Sequence, residues 1–286
     1  MKTAVLGTGS CGTALAQVLA DNGNDVILWG VNPEQVEDIN VHHRNSAYYD
    51  DPIHPSLKAS TDLACIQDAD VLLAAVPTMA LEDVLTKASA YVNHPVIVIN
   101  VAKGFHPVTH DRLSVVIRKI MPEEKLKAVV SLIGPSHAEE VIKRLLTAVN
   151  AVSDNEEVAK SIQELFSNSY FRVYRNTDVI GAEIGVALKN VMAIASGILE
   201  GAGQGDNARA ALMTRGLAEM ERYGVAQGAK KETFLGLDGV GDLIVTCTSR
   251  LSRNFMAGYE IGQEGSAENF FKNNKKTVEG VFACKV

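Results

Sequence analysis

Residues 2–17 read Lys2-Thr-Ala-Val-Leu-Gly7-Thr-Gly9-Ser-Cys-Gly12-Thr-Ala-Leu-Ala-Gln17. A short apolar run leads into three glycines spaced G-x-G-x-x-G, and a small-residue stretch of helical character follows. Each glycine has a physical task in such a unit. Gly7 permits a tight turn out of a strand, Gly9 lets the backbone come up to a pyrophosphate, and Gly12 allows helix and strand to lie close together. The helix start then offers free N–H groups to an anion. The glycine pattern alone is weak evidence; set between a strand and a helix, it indicates a dinucleotide-binding fold.

Working outward, strand-like and helix-like segments alternate. Residues 2–6, 25–29, 70–76, 96–99, 128–133 and 147–152 are apolar, β-branched runs bounded by polar residues, glycine or proline. Helical stretches are expected around residues 12–22, 79–91, 110–120 and 156–168. This alternation predicts an α/β Rossmann-like domain, with a mostly parallel, doubly wound sheet and helices on both faces. Near residue 179 the character changes to Ala- and Gly-rich helical sequence, punctuated by turns at Gly203–Gly205, Gly224, Gly228 and Gly239–Gly241. The expected domains are therefore 1–178, dinucleotide-binding, and 179–286, all-α and substrate-binding or catalytic. Residues 269–276 (NFFKNNKK) read as a solvated loop.

The chain has 286 residues, 47% hydrophobic and 21% charged, a soluble globular profile long enough for two cores. A net charge of -7 argues against a nucleic-acid partner but allows a local basic pocket for an anionic metabolite. Four scattered cysteines have no metal-ligand spacing, so no metal is expected and a reducing compartment is. The start of the chain lacks signal-peptide character, and no uninterrupted apolar run reaches about 18 residues. The expectation is a cytoplasmic protein without membrane insertion; a homodimer is compatible with it.

Lys189 and Asn190 stand inside a long small-residue helix, residues 180–203 (IGAEIGVALKNVMAIASGILEGAG). An unpaired buried ammonium is costly, so this lysine must find a partner or shift its pKa, and it becomes a candidate for proton transfer. Asn100-Val-Ala-Lys103-Gly104 follows a sheet strand, which puts Lys103 where open α/β sheets bind ligands. Gly134-Pro-Ser136-His137-Ala138 follows another, with Ser136 available to cap the next helix and His137 read as a local hydrogen-bonding residue. If Gly241-Asp242-Leu-Ile-Val-Thr246 is helical, Asp242 and Thr246 share a face, and the carboxylate could pair with Lys189. Ser252-Arg253-Asn254, at a helix start, suits a phosphate monoester. The second strand ends in Gly30-Val31-Asn32, without the acid that would hold the NAD ribose or a cation for a 2′-phosphate; Arg44 reads as a surface loop charge.

Gly7-Thr-Gly-Ser-Cys-Gly-Thr-Ala-Leu-Ala16, Gly134-Pro-Ser-His-Ala138, Leu188-Lys-Asn-Val191, Gly203-Gln-Gly-Asp-Asn207, Thr214-Arg-Gly-Leu-Ala-Glu-Met220, Gly241-Asp-Leu243 and Ser252-Arg-Asn254 together resemble the bacterial-type NAD(P)-dependent glycerol-3-phosphate dehydrogenases. The resemblance runs from residue 1 to about 280. It implies reversible hydride transfer between NAD(P)H and dihydroxyacetone phosphate, giving sn-glycerol 3-phosphate for phospholipid synthesis. Lys189 would be the general acid/base on the substrate C2 oxygen, with Lys103 near that oxygen, Asp242 a partner of substrate or of Lys189, and Thr246 orienting them. Ser252, Arg253 and Asn254 would hold the phosphate, and Gly134 and Ser136 would line the substrate pocket. Cofactor positions would include Gly7, Gly9, Ser10, Cys11, Gly12, Val31, Lys103, Ala138, Arg253 and Glu279. Cys11 and Val31 depart from the family, which often has an aromatic and Arg or His there, and this leaves the choice between NADH and NADPH open. The family also runs on for several helices past residue 286, so a shortened helical domain is expected. Two other readings are a 3-hydroxyacid or 6-phosphogluconate-type dehydrogenase, which would need a carboxylate site in place of Ser252-Arg253-Asn254, and a non-catalytic NAD(P)-binding protein.

Overall fold

A computed structural model describes residues 1–273 and 278–284. The first part forms β1 (Thr3–Leu6), α1 (Ser10–Asp21), β2 (Val26–Trp29), α2 (Pro33–Glu37), β3 (Lys58–Ser60), β4 (Val71–Ala74), α3 (Thr78–Ser89), β5 (Val96–Asn100), α4 (Leu113–Ile120), β6 (Leu126–Ile133), α5 (Ala138–Val141), β7 (Thr147–Val152), α6 (Glu156–Phe166) and β8 (Phe171–Asn176). The strands make one eight-stranded sheet in the order β3-β2-β1-β4-β5-β6-β7-β8. β1 pairs in parallel with both β2 and β4, and β2–β3, β4–β5, β5–β6 and β7–β8 are parallel as well.

The sheet's apolar runs are explained by burial on both faces. Val5, Leu28, Leu73, Ile99 and Val130 pack into one core with Leu15 and Leu19 of α1 and Ile162 and Phe166 of α6. The alternate residues Ala4, Leu6, Leu72, Val98 and Val129 pack into a second core with Leu81 and Leu85 of α3 and Ile117 of α4. A strand covered on both sides gains nothing from polar alternation, so it reads as a continuous hydrophobic stretch. β8 differs: its inward residues alternate with exposed Arg172, Tyr174 and Arg175, and the periodicity was too polar to mark it as a strand.

The second part forms α7 (Val179–Gly201), α8 (Gly205–Ala226), α9 (Asp242–Thr248), α10 (Arg253–Glu264), α11 (Ala267–Asn273) and α12 (Glu279–Ala283), with a π-helical turn over Leu237–Gly241 just before α9. Contacts group the chain into two compact units. One is Met1–Ala102, Leu113–Leu132 and Ser136–Thr177; the other is Asp178–Val286 joined by Lys103–Arg112 and Ile133–Pro135. Among the described residues α7 is the one helix whose length and hydropathy would suit a bilayer, because Glu183, Lys189 and Asn190 only interrupt an otherwise apolar stretch. All three of those polar residues are buried inside the helical unit.

Several expectations need correction. The helix expected from residue 110 starts at Leu113, since His110 takes a left-handed backbone (φ 60) and closes a hairpin instead. Gly224 is not a turn but lies inside α8, where the Phe234 ring packs on its backbone. His137, not Ser136, occupies the N-cap of α5, and its side chain makes no cap bond. Residues 269–273 are helical rather than looped, because Phe270 is buried beside Ala257 and Val278; residues 274–276 lie outside the described residues.

Candidate active site

The glycine loop joins β1 to α1 at the point where strand order reverses, between β1 and β4. Gly7 has φ 121, and a Cβ there would sit 2.6 Å from the Ala75 carbonyl oxygen; at Gly12 a Cβ would meet the Gly7 carbonyl at 2.3 Å. Both positions exclude a side chain by contact. At Gly9, by contrast, a Cβ would meet nothing within 4 Å. Gly9 is the N-cap of α1, with no side-chain cap and no acidic residue in the first turn. An uncapped helix start with open space over its central glycine fits the phosphates of a dinucleotide. Asn45 and Tyr49 brace this loop from behind. The Asn45 amide donates to the Thr8 carbonyl (2.8 Å) and the Tyr49 hydroxyl to the Ser10 carbonyl (2.6 Å). Sequence reasoning missed both, since nothing local ties residues 45 and 49 to residues 8 and 10. Ser10 and Cys11 are partly exposed in the first turn of α1, Val31 is 80% exposed past β2, and Arg44 is exposed. Asn32 is spent as the cap of α2, accepting from the Glu34 N–H. Ser136 and Ala138 also belong to the sheet unit.

The helical unit holds the other set. Lys189 is fully buried halfway along α7. Its ammonium is ion-paired with Asp242 Oδ1 and donates to Thr246 Oγ1 at 3.0 Å. The Thr246 hydroxyl donates in turn to the Asp242 backbone carbonyl (2.5 Å), so its proton is committed and its lone pairs face the amine. Asp242 and Thr246 are one helical turn apart on α9, directly after the π-helical turn. Burial pushes the Lys189 amine down to about 8; Asp242 opposes that shift, the Lys103 ammonium adds to it, and Glu279 works against it. Lys103 is partly exposed and groups with this unit although it comes early in the chain.

Two buried polar atoms here lack a hydrogen-bond partner: Asp242 Oδ2 and Asn190 Nδ2. An unpaired acceptor on the carboxylate that holds the ammonium, and an unpaired donor on the next residue of α7, would be a net cost unless polar groups satisfied them. Asn190 was noted from the sequence as Lys189's neighbour but was given no site role. Its signal was a second polar residue in an apolar helix.

Ser252 caps α10 by accepting from the Phe255 N–H (3.2 Å), which spends its hydroxyl acceptor on structure. Arg253, first in α10, has a side chain 62% exposed and lies 3.7 Å from the Glu279 carboxylate. Asn254 is buried, and its Oδ1 accepts from the Gly280 N–H (2.9 Å), tying α12 to the start of α10. Lys103, Lys189, Asp242, Thr246, Arg253 and Glu279 thus form one linked set of charges and polar groups in the helical unit. Gly134 is in that unit too, with φ 148.

The family models described as NAD-dependent glycerol-3-phosphate dehydrogenase N-terminus and C-terminus match residues 2–159 and 178–286. The chain is 50% identical to the glycerol-3-phosphate dehydrogenase [NAD(P)+] of Enterococcus faecalis, over 99% of its own length and 84% of the relative's. It is 49% identical to that of Staphylococcus epidermidis, over 99% and 86%. The crystal structure of a glycerol-3-phosphate dehydrogenase from Coxiella burnetii superposes with a TM-score of 0.89 at 35% identity, covering 99% of this chain and 87% of that one. With a glycine loop built for a dinucleotide, a buried ion-paired amine, and both halves matched, the chain belongs to the NAD-dependent glycerol-3-phosphate dehydrogenase family.

Proposed function

We propose that this chain reduces dihydroxyacetone phosphate to sn-glycerol 3-phosphate, reversibly, with NAD(P)H, supplying glycerophospholipid synthesis. The observation that carries the reading is the Lys189 ammonium, buried and paired with Asp242, whose second carboxylate oxygen, Oδ2, lacks a partner. NAD(P)H, when bound along the glycine loop, supplies the hydride to the substrate C2. Gly7, Gly9, Ser10, Cys11 and Gly12 would hold its phosphates, with Val31, Lys103, Ala138, Arg253 and Glu279 at the remaining cofactor positions. Lys189 donates a proton to the C2 oxygen as the hydride arrives, and takes it back in the reverse direction. The Lys103 charge stabilises the oxyanion that develops there. Asp242 and Thr246 fix the amine in place, and Asn190 offers its free N–H to a substrate oxygen. Arg253 and the N–H groups at the start of α10 receive the phosphate, and Gly134, Ser136, Ser252 and Asn254 are the further substrate-binding residues of this reading. The sheet unit is thereby the cofactor domain and residues from 179 on the substrate domain. Burial of the polar residues of α7 within the protein supports a chain that does not insert in a membrane; free cysteines support a cytoplasmic one.

The direct test is initial rates of NADH and NADPH oxidation with dihydroxyacetone phosphate, set against a 3-oxoacid and the 6-phosphogluconate reaction. Turnover confined to the carboxylate substrates would refute the proposal. Arg253→Ala should raise KM for dihydroxyacetone phosphate about 10- to 100-fold, the worth of one charge-assisted bond to phosphate, with kcat little changed. An effect on kcat alone would remove the phosphate role. The pH dependence follows from the sign of the Lys189 shift. Reduction needs the protonated amine, so its kcat/KM should fall as pH rises through about 8; oxidation needs the neutral amine and its kcat/KM should rise through the same range. Both limbs are read from kcat/KM against pH in the two directions.

A further inference from the structure

The segment Lys103–Arg112 is separated from α7 by much of the sheet unit in sequence, yet its contacts belong to the helical unit. Three features attach it. Phe105 is 8% exposed and shares an apolar cluster with Ile184 and Ala187 of α7. Phe105 and Arg112 form an antiparallel bridge, and the His106 N–H donates to the Asp111 carbonyl (2.9 Å), so the segment closes as a hairpin. Finally, Arg112 Nη1 lies 3.3 Å from Glu183 Oε2, and the Glu183 side chain is only 5% exposed. Glu183 is an acid inside an otherwise apolar stretch of α7, six positions before Lys189. A carboxylate buried there for packing alone would be a poor choice, because desolvation penalises it unless a cation comes with it.

We propose that Glu183 and Arg112 are positioning residues: their ion pair clamps the hairpin to α7, so that Lys103 at one end of the hairpin is held at a fixed place relative to Lys189. Neither residue is required to touch substrate. The clamp places both lysines on one body, so their separation does not depend on where the sheet unit stands. This inference rests on the reading of Lys189 as the acid/base and extends it to what sets that amine's surroundings. The charged and titratable groups facing Lys189 are Asp242 and Cys247 on α9, Lys103 in the hairpin and Glu279 on α12. Of these, Lys103 is the one on the clamped segment. If the clamp opens, the like charge withdraws and the amine holds its proton to higher pH.

The experiment uses the full chain with Arg112→Met, Glu183→Gln, Arg112→Lys, Lys103→Met and the double variant Lys103→Met/Arg112→Met. The Lys189 side chain is titrated by NMR, and kcat for reduction is followed against pH. Arg112→Met and Glu183→Gln should move the Lys189 midpoint upward by about half a unit or more. They should also lower kcat about tenfold through misplacement of Lys103. Arg112→Lys keeps the cation opposite Glu183 and should restore both at least in part. In the Lys103→Met background the Arg112 substitution should move the midpoint no further. The proposal is overturned if thermal stability drops while the midpoint stays at the wild-type value, or if the two substitutions shift it additively. If Arg112→Met does not fold, the isosteric Glu183→Gln decides the matter by the same midpoint. Absence of wild-type turnover on dihydroxyacetone phosphate would instead count against the functional reading, and the NMR titration separates the two failures.

Discussion

Lys189→Met is expected to lower kcat for dihydroxyacetone phosphate reduction by about three orders of magnitude, within the range that a positioned general acid supplies. Binding of NADH to the glycine loop, followed by its fluorescence, should be retained. The amine is fully buried, and burial rather than any partner is the largest influence on its protonation. A proton donor to a ketone works best with a pKa near the working pH, and this site moves a lysine from the ordinary alkaline value towards that range. Methionine keeps the length and packing of the lysine stem but removes the proton. It also leaves the Asp242 carboxylate buried without its cation, at a cost of about 3–5 kcal/mol in a typical protein. Loss of activity could then be loss of fold. The double variant Lys189→Met/Asp242→Asn removes the stranded charge and should regain thermal stability without regaining turnover. Turnover within tenfold of wild type in either folded variant would remove Lys189 from the chemistry.

The sheet unit was legible because its decisive signals are local. A glycine loop between strand and helix, and apolar runs bounded by turns, are properties of neighbouring residues, and Thr147–Val152 coincides with the expected strand. β3 was not legible, being three residues long with Ala59 as its one buried position. In the helical unit, a lysine among alanines and an acid at Asp242 were enough to anticipate their ion pair, whereas the hydrogen bond from Lys189 to Thr246 was not anticipated from the residues. What escaped was whatever depends on chain segments far apart in sequence. Asn45 and Tyr49 hold the glycine loop across more than thirty residues. The Lys103 hairpin sits in the first half of the chain but packs with the second, so the position of a linear boundary at residue 178 describes only part of the division. Glu183 was read as part of an apolar helix and Asn190 only as Lys189's neighbour, because a sequence shows that a polar residue is present and not what it faces.

Gly258→Val should destabilise the helical unit by about 3 kcal/mol or more, at the upper end for overpacking. α7 and α10 meet backbone to backbone along two pairs of glycines. A Cβ on Gly197 or Gly201 would lie 2.0 or 2.2 Å from the carbonyl oxygen of Phe255 or Tyr259, and one on Gly258 or Gly262 would lie 2.0 or 2.3 Å from that of Ile194 or Ile198. The atoms in the way are backbone oxygens on both sides, so no rotamer change relieves the clash; the helices must part. Intrinsic helix propensity makes the opposite forecast, since valine is a better helix former than glycine by a few tenths of a kcal/mol. The sign of the change therefore decides between a seam and four incidental glycines. The seam also has a functional consequence, because it fixes the start of α10, with Ser252, Arg253 and Asn254, against the helix that carries Lys189. Gly258→Val should accordingly raise KM for dihydroxyacetone phosphate as well as lower Tm, while Glu260→Ala on the exposed side of α10 should do neither. A Gly258→Val protein as stable as wild type, with unchanged KM, would show that the two helices have room to spare and that the substrate end is positioned by something else.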